Sequence, residues 1–186
     1  MPNGSENRSI QKKVERTVTF YNMVPNLFWS LLNLIPISIF CYTLMSPKIF
    51  YYFLGFSLVT IFFPNSFFDK IQLSKSTLFY KKLGIKLVNK LAQNGEFVNR
   101  MVQKKYPEYK VVRDRDSIKK IISTSYMFEK FHFMMFVFFA LSNAYAFYLN
   151  YLVWGMVILV TNLLYNVYPN LLQQYIRLKL KSTRKN

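Results

Sequence analysis

The feature that most constrains this chain is the separation of its charged residues from four long apolar runs. The runs cover residues 24–45, 49–68, 131–149 and 151–172, and none contains Asp, Glu, Lys or Arg. Each is close to the roughly 20 residues that cross a bilayer as a helix. In a chain of 186 residues, 52% hydrophobic and 19% aromatic content exceeds what a small soluble core buries. The sequence therefore predicts an all-α integral membrane protein with a single domain, residues 1–186.

Two short turns arrange the four predicted transmembrane helices as two hairpins. The first pair is separated by Ser46, Pro47 and Lys48, where the proline disfavours a helical conformation in the residue before it. The second pair is separated by a tight turn around Asn150. Residues 69–130 are left as a long loop between the hairpins.

The distribution of Lys and Arg predicts the orientation in the membrane. Basic residues are abundant in both terminal tails and in the loop 69–130, whereas the two short turns contain only Lys48. By the positive-inside rule, both termini and the loop are expected to be cytoplasmic. The net charge is +17, but no nucleic-acid-binding motif accompanies it. Membrane lipids with anionic headgroups are therefore the expected partner, rather than nucleic acid.

The basic loop contains an amphipathic pattern over residues 78–91. Leucines recur every four residues, with lysines on the neighbouring stripe: Leu83, Leu87 and Leu91 beside Lys82, Lys86 and Lys90. This predicts one helix that lies in the headgroup layer and stops at Asn94 and Gly95. A second helix is expected to begin near Ile118, after a cap at Asp116 or Ser117, and to continue without a break into the third span.

Polar residues form two stripes inside the apolar helices. On the third predicted helix, Glu129, just before the apolar run, and the only histidine, His132, are three residues apart and share one helical face. The fourth predicted helix carries a longer stripe that continues past its apolar run: Asn162, Asn166, Asn170, Gln173 and Arg177. Polar side chains in a bilayer are costly unless they face protein or water, so both stripes should face the bundle interior. Antiparallel packing would bring them together on the cytoplasmic side, level with Asn65 at the end of the second helix.

This arrangement predicts a candidate active site. The imidazole of His132 can accept a proton near neutral pH, and the Glu129 carboxylate one turn away can orient it. Structural interpretations stay open beside this one: the pair could face headgroups at the interface, the amides could hold helices together, and Arg177 could reach a lipid phosphate. One histidine with one carboxylate lacks the ligands for a tight divalent metal site.

Three blocks of sequence carry a family resemblance. They are YKKLGIK followed by NKLAQNGEF in the loop, Glu129 with His132 on the third helix, and NVYPNLLQQYIRLKL at the end of the fourth. In this order they resemble the small bacterial membrane family of glycosyl-4,4'-diaponeurosporenoate acyltransferases, over roughly residues 80–180. The sequence departs from the family pattern at Val88, Asn89, Thr124, Met127 and Gln174, and Pro169 is shifted by one position.

The resemblance implies transfer of a fatty acyl group to a sugar hydroxyl of a glycosylated carotenoid, in the bacterial cytoplasmic membrane. It implies that His132 removes the hydroxyl proton, that Glu129 holds the imidazole, and that Asn166 or Gln173 donates to the carbonyl oxygen. The phosphates of the acyl donor would be held by basic residues: Arg177, Lys179, Lys82 and Lys86. No cofactor is expected, and an acyl thioester such as acyl-CoA would be the co-substrate. The alternative is a non-catalytic protein, either an assembly partner or a lipid-binding module.

Overall fold

The computed structural model describes residues 4–92, 95–111 and 115–183, and this part of the chain is helical without strands. Its helices are α1 (Gly4–Leu44), α2 (Pro47–Val59), α3 (Asn65–Lys70), α4 (Thr77–Lys82), α5 (Ile85–Leu91), α6 (Glu96–Lys105), α7 (Arg115–Tyr148), α8 (Leu152–Asn162) and α9 (Tyr168–Thr183). A 3₁₀ turn, Thr60–Phe62, extends α2. A π-helical turn, Leu163–Val167, joins α8 to α9 without a break in the helical path.

Three helical segments of the described chain are long and apolar enough to cross a membrane: Gln11–Leu44, Arg115–Tyr148 and Leu152–Ser182. They correspond to the first, third and fourth predicted spans. The second is shorter than predicted, because the apolar helix covers only Pro47–Phe62. It ends where the backbone becomes extended at Phe63 and Pro64, and Asn65 begins the separate helix α3. The all-helical membrane fold is supported, whereas the prediction of four full spans is not.

Aromatic and aliphatic side chains from four helices form the core at one end of the bundle. Ile37 and Phe40 of α1, Phe138 and Phe139 of α7 and Ile158 of α8 are all buried there. The ring of Phe40 lies 6.0 Å from that of Trp154 on α8, and the ring of Phe138 lies 5.9 Å from that of Phe50 on α2. Close van der Waals packing of these side chains holds α1, α2, α7 and α8 together, because lipid around the helices is equally apolar.

The predicted hairpin between the third and fourth runs is present. Helix α7 ends at Tyr148, and Asn150 turns the chain with a positive φ of 60°, a conformation that Asn tolerates better than most residues. Across this turn, the Asn143 Nδ2 donates to the carbonyl of Gly155, at 2.5 Å. This interhelical hydrogen bond fixes the register of α7 against α8.

The amphipathic helix predicted for residues 78–91 is broken into α4 and α5. The break lies at Gly84, which adopts a left-handed conformation with φ 78°. Continuous helix was wrong here because glycine can take this conformation at little cost, and the bend buries both Tyr80 and Ile85 against α9. Asn94, half of the predicted stop, lies outside the described residues.

The helices outside the apolar spans begin earlier and pack more closely than the sequence indicates. Helix α1 starts at Gly4, and its Val14 is buried against Val98 and Val102 of α6, a helix that the sequence analysis did not predict. Helix α7 runs unbroken from Arg115 to Tyr148, which confirms the continuous helix expected from about Ile118. The first turns of α7 therefore carry polar residues directly into the apolar span.

Candidate active site

A buried ion pair joins α7 to α9. One terminal guanidinium nitrogen of Arg177 lies 2.5 Å from the Oε2 atom of Glu129, and both side chains are at most 1% exposed. Beyond this pair, the guanidinium nitrogens have no hydrogen-bond acceptor among the described residues. Burying a charge costs several kcal/mol unless a partner compensates it. Glu129 and Arg177 therefore depend on each other, and Arg177 retains donor capacity.

Gln174 links this ion pair to the loop. Its Nε2 donates to the Oε1 of Glu129 at 2.9 Å. Its Oε1 accepts two hydrogen bonds, from the Tyr80 hydroxyl at 2.8 Å and from the backbone N–H of Leu73 at 3.3 Å. The amide is thus fully oriented, and the loop before α4 is tied to the carboxylate through a single side chain.

Tyr126 covers the other side of Arg177. The centre of its ring lies 4.1 Å from the guanidinium carbon, which is a favourable cation–π distance. Its hydroxyl donates to Asp69 at 2.7 Å, and Lys181 lies 3.5 Å from the same carboxylate oxygen. We call the buried group formed by Tyr80, Tyr126, Glu129, Gln174 and Arg177 the ion-pair cluster.

Removing the hydroxyl of Tyr80 tests the link between the loop and this cluster. Burial raises the pKa of the Tyr80 phenol, so it stays protonated and able to donate at neutral pH. Tyr80→Phe is expected to lower the free energy of unfolding by about 1 kcal/mol, because Gln174 loses a buried donor. Thermal unfolding in detergent measures this. The matched control is Tyr51→Phe, at a side chain 69% exposed, which should change nothing. Equal effects of both variants would contradict the link.

A second group of polar side chains surrounds the π-helical turn. Asn166 is fully buried, and its Nδ2 donates to the Oδ1 of Asn162 at 3.0 Å. Asn162 in turn donates to the carbonyl of Phe136 on α7, at 3.2 Å. The imidazole of His132 adjoins the Asn166 amide and the backbone of Tyr165. We call the group formed by His132, Asn162, Asn166 and Asn170 the amide cluster.

Three of the amide cluster's acceptor atoms are buried without a hydrogen-bond partner in the described part of the chain. They are the Nδ1 of His132, the Oδ1 of Asn166 and the Oδ1 of Asn170. An unsatisfied buried acceptor costs about 1–3 kcal/mol, and such atoms are rare in folded proteins. The π turn adds one residue to the helix at this point, a distortion that is frequent at functional sites.

The structure gives Glu129 a different partner from the expected one. Its two carboxylate oxygens contact Gln174 and Arg177 on α9, and no hydrogen bond or ion pair joins it to His132 within the described residues. The expectation that Glu129 orients the imidazole is therefore not met. The opposite charge of Arg177 attracts a buried carboxylate more strongly than a neutral imidazole does. His132 is flanked instead by Asn166 and Tyr165.

The other predicted site residues divide into buried and exposed groups. Gln173 is buried on α9, in the same helix as Arg177, although it belongs to neither cluster. The remaining four side chains are exposed: Asn65, Lys82, Lys86 and Lys179. The structure therefore brings His132, Glu129, Asn166 and Arg177 to the interface between α7 and the fourth predicted helix, with Asn65 and the lysines outside it.

Sequence reasoning missed Tyr80, Tyr126 and Gln174. A signal existed for Gln174, because it follows Asn170 by four residues and precedes Arg177 by three, which places it on the polar stripe. The tyrosines gave no such signal. Tyr80 meets Gln174 across 94 residues of sequence and Tyr126 meets Asp69 across 57, so only the tertiary fold shows these pairs.

Comparison with known proteins identifies the family. Residues 64–186 match the family model described as glycosyl-4,4'-diaponeurosporenoate acyltransferase. No curated protein and no solved structure shows significant similarity to the chain. The matched residues include every member of the ion-pair cluster and of the amide cluster, and they make up more than half of the chain. The chain therefore belongs to the glycosyl-4,4'-diaponeurosporenoate acyltransferase family.

Proposed function

We propose that this protein is a membrane O-acyltransferase that moves a fatty acyl group from an acyl thioester to a hydroxyl of a lipid-like glycoside, of the carotenoid glycoside class. The family match carries this proposal, because the matched residues, 64–186, include every member of the two buried polar clusters. The apolar helices support a location in the membrane, and we place the reaction at the cytoplasmic leaflet of a bacterial membrane.

In the proposed reaction, His132 acts as the general base. The hydroxyl oxygen of the glycoside bonds to the thioester carbonyl carbon while its proton passes to the imidazole. The carbon–sulfur bond then breaks, and the imidazole returns the proton to the leaving thiolate. An ester and a free thiol result. The unpartnered Nδ1 of His132 supports this role, because in the tautomer protonated at Nε2 this atom carries the lone pair that a base needs.

Arg177 is the group we propose for stabilising the carbonyl oxygen as negative charge develops. Its guanidinium is fully buried and has nitrogens without an acceptor, and preorganised donors are most effective in a dry site. Glu129 and Tyr126 hold it in place. Asn166, the donor suggested by the sequence, is less suitable because its Nδ2 already bonds Asn162.

The exposed lysines are assigned a different task. Lys82 and Lys86 are exposed on α4 and α5, beside exposed apolar side chains such as Leu78 and Leu87. We propose that these two helices lie in the headgroup layer, with the lysines toward anionic lipid or toward the phosphates of the thioester donor. No cofactor is needed for this reaction.

A non-catalytic role is the second candidate. One observation favours it: each oxygen of Glu129 contacts a protein group, Gln174 or Arg177, so the ion-pair cluster can hold the bundle together without a ligand. An assembly partner or lipid-binding module would need nothing more.

Product analysis in cells separates the two candidates. We expect a bacterial host that makes a carotenoid glycoside to accumulate a product heavier by one fatty acyl group when it expresses this chain, and not when it carries an empty vector. Mass spectrometry of pigment extracts measures this. Expressed, membrane-inserted protein without any acylated pigment or lipid would favour the non-catalytic role.

A further inference from the structure

The unpartnered atoms of the two clusters differ in kind. In the amide cluster, the unpartnered atoms are an imidazole nitrogen and two amide oxygens, all of which can accept a hydrogen bond. In the ion-pair cluster, the Oε2 of Glu129 is ion-paired with Arg177, and the guanidinium nitrogens that remain without a partner can only donate. The two neighbouring sites therefore suit ligand groups of opposite character.

We propose that His132, Asn166 and Asn170 form a subsite that binds the sugar hydroxyls of the acceptor. Hydroxyl groups are the neutral donors that match three buried acceptors at one place, and a sugar carries several of them. This inference rests on the proposed function and specifies which residues recognise the glycoside.

The local geometry brings these acceptors to a common surface. His132 adjoins Asn166 from the facing helix α7. Asn170 follows Asn166 by four residues, or about one helical turn, which places both amides on the same side of the helix. A sugar lying along this turn would meet both amide oxygens, with the hydroxyl to be acylated at the imidazole.

The Nδ2 of Asn166 already has an acceptor, so this amide offers a ligand its oxygen rather than its nitrogen. The Nδ2 of Asn166 donates to Asn162, and Asn162 donates to the carbonyl of Phe136. This chain of hydrogen bonds fixes the Asn166 amide, whose Oδ1 lies beside the His132 imidazole and makes no hydrogen bond of its own within the described residues. The subsite therefore accepts hydrogen bonds from its ligand. A sugar whose hydroxyls have been methylated has no O–H group to donate to it.

Binding without an acyl donor tests the subsite separately from catalysis. The protein in lipid nanodiscs is titrated with an octyl glucoside below its micellar concentration, and with the same glucoside methylated at every hydroxyl. Trp29 provides the signal, because its ring lies 5.5 Å from that of Tyr165, beside Asn166. The expected result is at least tenfold weaker binding of the methylated compound, since buried acceptors stay unpaired.

Variants assign the preference to these residues. Asn170→Leu should reduce the difference in affinity between the two glucosides about tenfold. Asn170→Ser, which keeps an acceptor oxygen, should retain part of this difference. The matched control is Asn33→Leu, because Asn33 also has a buried, unpartnered amide oxygen but lies on α1, outside the family match. It should leave the preference unchanged.

Each outcome decides the proposal. Equal binding of the two glucosides by the unmodified protein overturns the subsite, whatever the variants do. A preference that survives Asn170→Leu, or that Asn33→Leu abolishes equally, also overturns it. Binding with the expected preference but no acyl transfer would retain the subsite and refute the proposed reaction. Acyl transfer without the preference would refute the subsite and retain the proposed reaction.

Discussion

Replacing Arg177 with Gln is expected to lower the free energy of unfolding by about 3–5 kcal/mol, because it leaves the Glu129 carboxylate buried without its ion-pair partner. Tyr126 also loses the cation that its ring covers. Denaturation in mixed micelles, followed by circular dichroism, measures the change. This loss exceeds the roughly 1 kcal/mol expected for Tyr80→Phe.

The double variant and an exposed pair provide the controls. Glu129→Gln combined with Arg177→Gln should recover a large part of the lost stability, since no uncompensated charge remains. Arg100→Gln breaks the exposed pair with Glu96 and should cost at most about 0.5 kcal/mol. Equal losses for Arg177→Gln and Arg100→Gln would show that the Glu129–Arg177 pair does not form.

Replacing His132 with Gln is expected to lower the acyl-transfer rate by about 10²–10⁴-fold, the usual contribution of a general base. The fold should survive, because Gln is similar in length and the Nδ1 of His132 makes no hydrogen bond within the described residues. Initial rates per folded protein, with the acceptor and the thioester both saturating, measure the effect.

Asn143 supplies the structural control for this prediction. Asn143→Ala removes the hydrogen bond to the Gly155 carbonyl and is expected to cost about 1 kcal/mol of stability. Its rate per folded protein should be unchanged, because Asn143 lies toward the other end of α7. Undiminished transfer by His132→Gln would remove the imidazole from the mechanism.

Local sequence patterns were sufficient to predict the helices whose buried face follows helical spacing. The polar stripe from Asn162 to Arg177 follows helical spacing, so its shared buried face could be read directly from the sequence. The unbroken start of α7 and the turn at Asn150 were also predicted, because no residue before the turn interrupts the helix. The exceptions lie where local spacing competes with tertiary contacts.

Glu129 shows why the details of the site could not be predicted. Three-residue spacing places it beside His132 on one helical face, which made a local pair the natural hypothesis. In the folded chain, Arg177 and Gln174 reach the same carboxylate from α9, one at each oxygen. Helical periodicity predicts a face, but not the partner that a facing helix brings to it.

The basic loop shows the same limit for backbone structure. Leucine spacing favoured one continuous helix, yet the chain bends at Gly84, where the bend buries Tyr80 and Ile85 against α9. The second span is shorter than its apolar composition suggested, since the backbone leaves the helix before Pro64. The composition of a segment shows how apolar it is, whereas the backbone breaks determine how long each helix is.

Reconstituted transfer is the most direct test of the central claim that this bundle is an acyltransferase. The purified protein in nanodiscs is given a carotenoid glycoside and an acyl-CoA, and both the ester and the free thiol are quantified over time. The proposed reaction predicts one thiol released for each ester formed, with both products appearing about 10²–10⁴-fold more slowly in the His132→Gln variant. Folded protein that binds the glycoside but forms no ester would contradict it.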